Sequence, residues 1–142
     1  PLYVHPVGIV RRTHFHTMAM YTSLLQTHAV KTDIESDSLT HGSEAVAMVD
    51  AVATVDEQGE QWSVALINRH PSDDVACTVI LEDRLLEGTY TTTILTGETA
   101  DAYNDIEAPD RVVPVRTELG FKKGITSLPP HSLTIVEIAA KK

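Results

Sequence analysis

Seven histidines are the side chains of this 142-residue chain best suited to bind a metal or move a proton. His14 and His16 are two residues apart in a segment with a helical pattern. Their side chains therefore point about 200° apart and cannot share a ligand on one helix face. The remaining five have neither metal-ligand spacing nor a cysteine partner, and they are His5, His28, His41, His70 and His131. We predict no metal site and no cofactor.

The acidic segment 97–114, with the sequence GETADAYNDIEAPDRVVP, is the second candidate. It lacks the glycine and the spacing of an EF-hand calcium loop. Two carboxylates about 5 to 9.5 Å apart would suit glycoside hydrolysis, but nothing in this segment indicates such a pair. We predict that the acids in the middle of this segment cap turns or are solvated. They are Asp101, Asp105, Glu107 and Asp110.

Nucleophilic catalysis has no support in the sequence. There is no G-x-S-x-G motif, and His131-Ser132 follows two prolines at the start of a predicted strand. Cys77 lies in the apolar run VACTVIL, which indicates a buried, unreactive thiol. Trp62 begins a central strand, where a packing role is expected. The prediction is that this chain contains no catalytic residue.

Composition excludes several classes of partner. The formal charge is -9 with only 11 Lys and Arg residues, which argues against nucleic acid. No stretch approaches the roughly 18 apolar residues needed to cross a bilayer, and the first residues do not form a signal peptide. A single cysteine suits a reducing compartment. We expect a cytoplasmic protein, and we interpret the chain as the C-terminal portion of a longer one.

Two kinds of element must position these residues. From Pro6 to about His28, apolar residues recur every three or four positions, which predicts an amphipathic helix of about six turns. Its apolar stripe comprises Val10, His14, Met18, Tyr21 and Leu25, with Phe15, Ala19 and Leu24 beside it. After His28 the period changes to two, and turn residues separate short runs. The predicted strands are 46–55, 61–69, 75–81, 89–96, 112–119, 125–128 and 132–138, with 31–39 at most an edge strand.

Strands without intervening helices predict a mainly β fold, an antiparallel β-sandwich of jelly-roll type preceded by one long amphipathic α-helix. That helix has no evident packing partner in the chain, so we expect it to pack on a domain upstream. The segment 97–114 is longer than most connections. We expect it to be a clasp anchored by Tyr103, Ile106 and Val112 and stiffened by Pro109 and Pro114. Arg11 and Arg12 are candidate partners for its acids.

Three stretches resemble the C-terminal part of the α-L-arabinofuranosidases of glycoside hydrolase family 51. They are WSVALINRHP at 62–71, AYNDIEAPDRVVP at 102–114 and LPPHSLTIVEI at 128–138. Their order is similar to that of the family's C-terminal domain, and the leading segment with its helix resembles the end of the family's (β/α)₈ barrel. The resemblance implies two domains, 1–30 from the barrel and 31–142 as the C-terminal β-sandwich.

The resemblance also implies a function. The parent enzyme would hydrolyse terminal non-reducing α-L-arabinofuranosyl residues of arabinoxylan, arabinan or their oligosaccharides. It would do so by a retaining mechanism with two glutamates, at the ends of barrel strands upstream of Pro1. This chain would be inactive alone, with the missing barrel as its partner and association of copies as a further role. The alternative is an independent carbohydrate-binding or protein-interaction module, because a sandwich fold does not decide function.

Overall fold

The computed structural model describes residues 2–5 and 8–139, and these form fourteen strands and one helix. The N-terminal elements are β1 (Leu2–His5), β2 (Gly8–Arg11) and α1 (Thr13–Leu24). They are followed by β3 (His28–Val30), β4 (Ser38–His41), β5 (Glu44–Ala47), β6 (Val49–Val55), β7 (Gln61–Asn68) and β8 (Val75–Thr78). The remaining strands are β9 (Ile80–Leu81), β10 (Arg84–Leu85), β11 (Gly88–Leu95), β12 (Val115–Phe121), β13 (Ile125–Leu128) and β14 (Ser132–Ala139).

A six-stranded sheet in the order β12-β11-β14-β7-β6-β3 dominates the structure, and each neighbouring pair is antiparallel. The predicted hairpin between β6 and β7 is confirmed. Gly59 adopts a φ of 71° in its turn, and its N–H donates to the carbonyl of Asp56. Few residues other than glycine tolerate that conformation. Strand β7 lies between β14 and β6, which agrees with its predicted central position.

Each face of this sheet carries its own apolar cluster, because successive side chains of a strand point to opposite faces. On β7, Val64 and Leu66 face a short second layer built from β8, β13 and the β9–β10 hairpin. We call this side the inner face. Ala65 and Ile67 point the other way, toward helix α1 and the segment 97–114. The mainly β, antiparallel fold with one helix is therefore confirmed, with a second layer shorter than the first.

The N-terminal region differs from the prediction. Gly8–Arg11 pairs with Leu2–His5 as a hairpin, and the helix comprises only the 12 residues Thr13–Leu24. Pro6, where the helix was predicted to begin, lies outside the described residues. The β-branched Val4, Ile9 and Val10 favour extended backbone, which local helical spacing could not reveal. The helix is thus about half as long as predicted.

The helix also has a packing partner within this chain, so the expectation that it had none is wrong. Met20 is 3% exposed and lies in one cluster with Ala65 and Ile135 of the sheet. Tyr21, Leu24 and Leu25 pack against that cluster, and the N–H of Gln26 donates to Thr54 Oγ1. Met18, from the predicted stripe, is 59% exposed. The helix therefore covers one face of the sheet with Tyr21 and Leu25 of the predicted stripe, but with Met20 in place of Met18.

Candidate domain-docking site

The segment 97–114 is fastened by a buried asparagine. Asn104 is fully buried, and its Nδ2 donates to the carbonyls of Arg11, at 2.8 Å, and Val112, at 2.7 Å. Its Oδ1 accepts the N–H of Val112 at 2.6 Å. Asparagine is suited to this position because its side chain both donates and accepts. This residue joins the segment to strand β2, so the predicted clasp holds the N-terminal hairpin against the sandwich.

The predicted apolar anchors contribute unequally. Val112 is 3% exposed within the cluster beneath the helix. Ile106 is half-buried, and its Cδ1 lies 4.0 Å from the position a Cβ would take on Gly8. Tyr103 is 48% exposed. Its ring centroid is 5.3 Å from the guanidinium carbon of Arg12 and 5.8 Å from that of Arg111, so this tyrosine stacks with cations rather than filling a core.

Close approach explains the glycine at the start of the segment. A Cβ on Gly97 would lie 2.7 Å from Ala102 Cβ and 3.2 Å from Val112 Cγ2. Only a residue without a side chain allows the chain to fold back so tightly. The segment therefore closes on itself before it reaches the hairpin.

A second buried asparagine joins two of the three stretches that carried the family resemblance. Asn68 is 1% exposed. Its Nδ2 contacts the carbonyls of Asp73, Leu128 and Pro129, and its Oδ1 accepts the N–H of His70. The end of β7 and the Leu-Pro-Pro turn thus meet at one side chain. Neither asparagine was predicted as a functional residue; the available signal was an Asn inside two of the three recognised stretches.

His131 connects the same region to the segment 97–114. Its Nδ1 lies 2.9 Å from the carbonyl oxygen of Pro71, and its Nε2 lies 2.7 Å from that of Gly97. The residue also adopts a φ of 40°, which is uncommon outside glycine. His131 therefore bridges the turn after β7 to the start of the segment 97–114.

The other candidate residues are dispersed. Among the described residues, no three His, Cys, Asp or Glu side chains gather as a metal site would require. His70 Nδ1 accepts the N–H groups of Ser72 and Asp73, and Asp105 Oδ1 accepts the N–H of Ile106. Both side chains thus cap turns, which was predicted for Asp105 and not for His70. That the chain has no catalytic or metal residue stays a prediction.

Burial changes the pKa of two further side chains, and it gives Trp62 a packing role. Burial lowers the pKa of His16, Arg11 lowers it further, and Asp110 opposes the shift. Burial raises the pKa of the Cys77 thiol, which reduces its reactivity at neutral pH. Trp62 is half-buried and packs against the cluster on the inner face, so its indole contributes to the core.

One face of the N-terminal hairpin is apolar and exposed. Residues directly opposite in an antiparallel pair share a face, and Val4 is opposite Ile9. Val4 is 76% exposed and Ile9 65%, and Leu2 on the same face is 53% exposed and lies opposite the exposed Arg11. Val10, on the other face, is 1% exposed. The hairpin therefore packs on the sandwich with one face and presents an apolar surface with the other, which we call the outer hairpin face.

The comparison with protein families decides what this arrangement belongs to. The family model described as the α-L-arabinofuranosidase C-terminal domain matches residues 1–132. This chain belongs to that family. A search of curated proteins found no significant match. The match includes the N-terminal hairpin, the helix and the segment 97–114. Asn104 and the residues that it bonds therefore lie within the α-L-arabinofuranosidase C-terminal domain.

Solved structures of α-L-arabinofuranosidases share the fold of the domain. The enzyme from Thermotoga maritima, solved as an arabinose complex, has a TM-score of 0.85 at 18% identity; the match covers 98% of this chain and 31% of that one. A family 51 enzyme from Xanthomonas axonopodis pv. citri gives 0.80 at 22% identity, with coverage of 96% and 28%. One from Bifidobacterium longum gives 0.75 at 25% identity, with coverage of 94% and 26%. The chain therefore spans less than a third of these relatives.

The described part of the domain has no helix with the length and apolar character needed to cross a membrane.

Proposed function

We propose that this domain is the non-catalytic C-terminal part of a longer α-L-arabinofuranosidase, in which a catalytic (β/α)₈ barrel precedes it. The family match over residues 1–132 carries the proposal, and the matched region covers only 31% and 28% of two similar enzymes. The parent enzyme would release terminal non-reducing α-L-arabinofuranosyl residues from arabinoxylan or arabinan with retention. Its two catalytic glutamates would lie on barrel strands upstream.

The domain's role in this proposal is to complete and stabilise the barrel. Residues 1–30 would belong to the end of the barrel, and 31–142 would be the accessory sandwich. The hairpin and helix suit such a joint because Val10 and Met20 pack toward the sandwich while Val4 and Ile9 remain exposed. Burying a large aliphatic side chain contributes about 1.5–3 kcal/mol. Covering the outer hairpin face would therefore hold the two domains together.

Two matched substitutions in the parent enzyme test the docking surface. Ile9 in β2 and Val46 in β5 are 65% and 48% exposed, and each lies in a two-stranded hairpin. We expect Ile9→Asp to lower the melting temperature of the parent enzyme and to reduce its turnover of 4-nitrophenyl α-L-arabinofuranoside. Val46→Asp should behave like the unchanged enzyme. In the isolated domain, at concentrations too low for association, the two variants should unfold alike, because neither side chain is buried there.

Equal effects of the two variants in the parent enzyme would contradict this docking surface. The isolated domain should release no 4-nitrophenol, since both glutamates would lie outside it. Saturable quenching of Trp62 fluorescence by arabino-oligosaccharides would instead favour an independent binding module.

Association of copies and a cytoplasmic location complete the proposal. Without the barrel, the outer hairpin face is expected to bury itself against a second copy, since exposed apolar patches favour such contacts. Light scattering should then show association of the isolated domain that Ile9→Asp abolishes. The single cysteine, Cys77, supports a reducing compartment.

A further inference from the structure

The short second layer has an open groove along one edge. The groove has a volume of about 880 Å³ and is lined by Val75, Ala76, Cys77 and Thr78 of β8. Residues 32–37 line its opposite side, and Ala53, Val64 and Leu66 of the six-stranded sheet form its floor. No residue of β13 lines it. The groove therefore lies along the edge of β8 that faces away from its partner strand.

The hydrogen bonding of β8 shows which of its backbone groups point into the groove. Strand β8 is at an edge, since β13 is its one partner among the described residues. In an antiparallel pair, backbone groups of alternate residues point to the partner. The N–H of Val79 donates to Gly124, next to β13, so Cys77 and Val75 share that direction. The N–H and C=O groups of Ala76 and Thr78 point toward the groove.

The floor of the groove is apolar and already part of the core. Val64 and Leu66 are 5% and 2% exposed and belong to the cluster on the inner face. Cys77 packs against that cluster from β8. A strand placed about 4.8 Å from β8 would direct every second side chain onto this floor and would satisfy the free backbone groups. The groove thus has the two features needed for strand addition.

We propose that an extended segment of the parent polypeptide, from the part that precedes this domain, occupies the groove as an additional strand beside β8. Apolar residues at alternate positions of that segment would contact the floor. The inference rests on the proposed function, because it needs a longer parent chain. Its support is that this chain spans 31% of the T. maritima enzyme, which leaves ample polypeptide outside the domain.

Amide hydrogen exchange in the isotope-labelled 142-residue chain tests the proposal. The probes are overlapping synthetic peptides of about 15 residues that tile the parent sequence before Pro1. We expect one peptide to slow exchange at Ala76 and Thr78 by about tenfold or more, since formation of new hydrogen bonds protects these amides. The amides of Val75 and Cys77 already face β13 and should change little. The same peptide should slow maleimide labelling of Cys77.

A matched pair of proline variants provides the control. Ala76 and Ser127 are directly opposite in the β8–β13 pair. Their amides point in opposite directions, that of Ala76 into the groove and that of Ser127 away from it. Ala76→Pro should abolish peptide protection at Thr78, whereas Ser127→Pro should retain it.

Absence of protection by every peptide would overturn the inference. Protection that appears without peptide and grows with protein concentration would also overturn it, because a second copy would then occupy the edge. Neither result depends on the outer hairpin face. The comparison of Ile9→Asp with Val46→Asp therefore tests the proposed function separately, because neither residue lines the groove.

Discussion

Two buried asparagines hold the three recognised stretches in place. Asn68 and Asn104 are 1% and 0% exposed, and each bonds backbone groups distant in sequence. A buried carbonyl or N–H that loses its partner costs about 1–3 kcal/mol. The residue types that made this sequence recognisable thus have a structural reason, since they supply hydrogen bonds where turns meet inside the molecule.

Replacing Asn104 should destabilise the domain strongly. Asn104→Ala leaves the carbonyls of Arg11 and Val112 and the N–H of Val112 without their side-chain partner. We expect the free energy of unfolding to fall by about 3 kcal/mol, measured by urea denaturation. Glu107→Ala, at an exposed position of the same segment, should change it by no more than about 0.5 kcal/mol. Equal effects would show that Asn104 is not the anchor.

His16 should make stability depend on pH. Burial and Arg11 lower its pKa in the folded state, so the unfolded chain takes up the proton first as the pH falls. The free energy of unfolding should therefore decrease as the pH falls through the ordinary histidine value of about 6.5. His16→Gln should flatten this dependence in thermal melts between about pH 5 and 8. Ser23→Ala, at an exposed position of the same helix, removes no titrating group and should leave the dependence unchanged.

At the scale of elements, helix α1 and the segment 97–114 cover one face of the six-stranded sheet together. Met20 from the helix and Val112 from the segment lie in one cluster with Leu95 and Leu133 of the sheet. The hairpin is bonded to the segment through the carbonyl of Arg11, and its Val10 is buried. These elements form a third layer on the sandwich, so their folding is expected to be cooperative with it.

Two methionines of the helix test this layer. Met20 is 3% exposed and Met18 is 59% exposed on the same element. Met20→Ala should reduce the free energy of unfolding by about 2–5 kcal/mol, since it leaves a cavity over Ala65 and Ile135. Met18→Ala should change it by no more than about 0.5 kcal/mol in the isolated domain. Should the two losses match, the helix would not be an integral layer.

At the scale of the whole molecule, the domain has two surfaces that suit further parts of a longer enzyme. The outer hairpin face exposes Leu2, Val4 and Ile9, and the groove beside β8 exposes backbone hydrogen-bonding groups at a strand edge. They differ in the contacts they offer, since the first is an apolar face and the second is a backbone template. The proposals for barrel docking and strand addition therefore concern separate sites.

The sequence by itself determined the central strands, the antiparallel class and the family. Alternation of apolar residues and turn chemistry are local, so Gln61–Asn68 and Ser132–Ala139 were predicted within a residue or two. The three recognised stretches led to the family that the match over residues 1–132 established. Val112 was predicted as an anchor because an isolated apolar pair in a polar segment must be buried to be favourable.

Only the tertiary structure decided the length of the helix, its packing face and the anchors of the segment 97–114. Met20 rather than Met18 is buried because the sheet lies on that side, and helical spacing alone does not reveal where a sheet will lie. Asn104 acts through the carbonyl of Arg11, 93 residues away in sequence, and no local pattern encodes such a pair. Long-range contacts choose among structures that local preference leaves open.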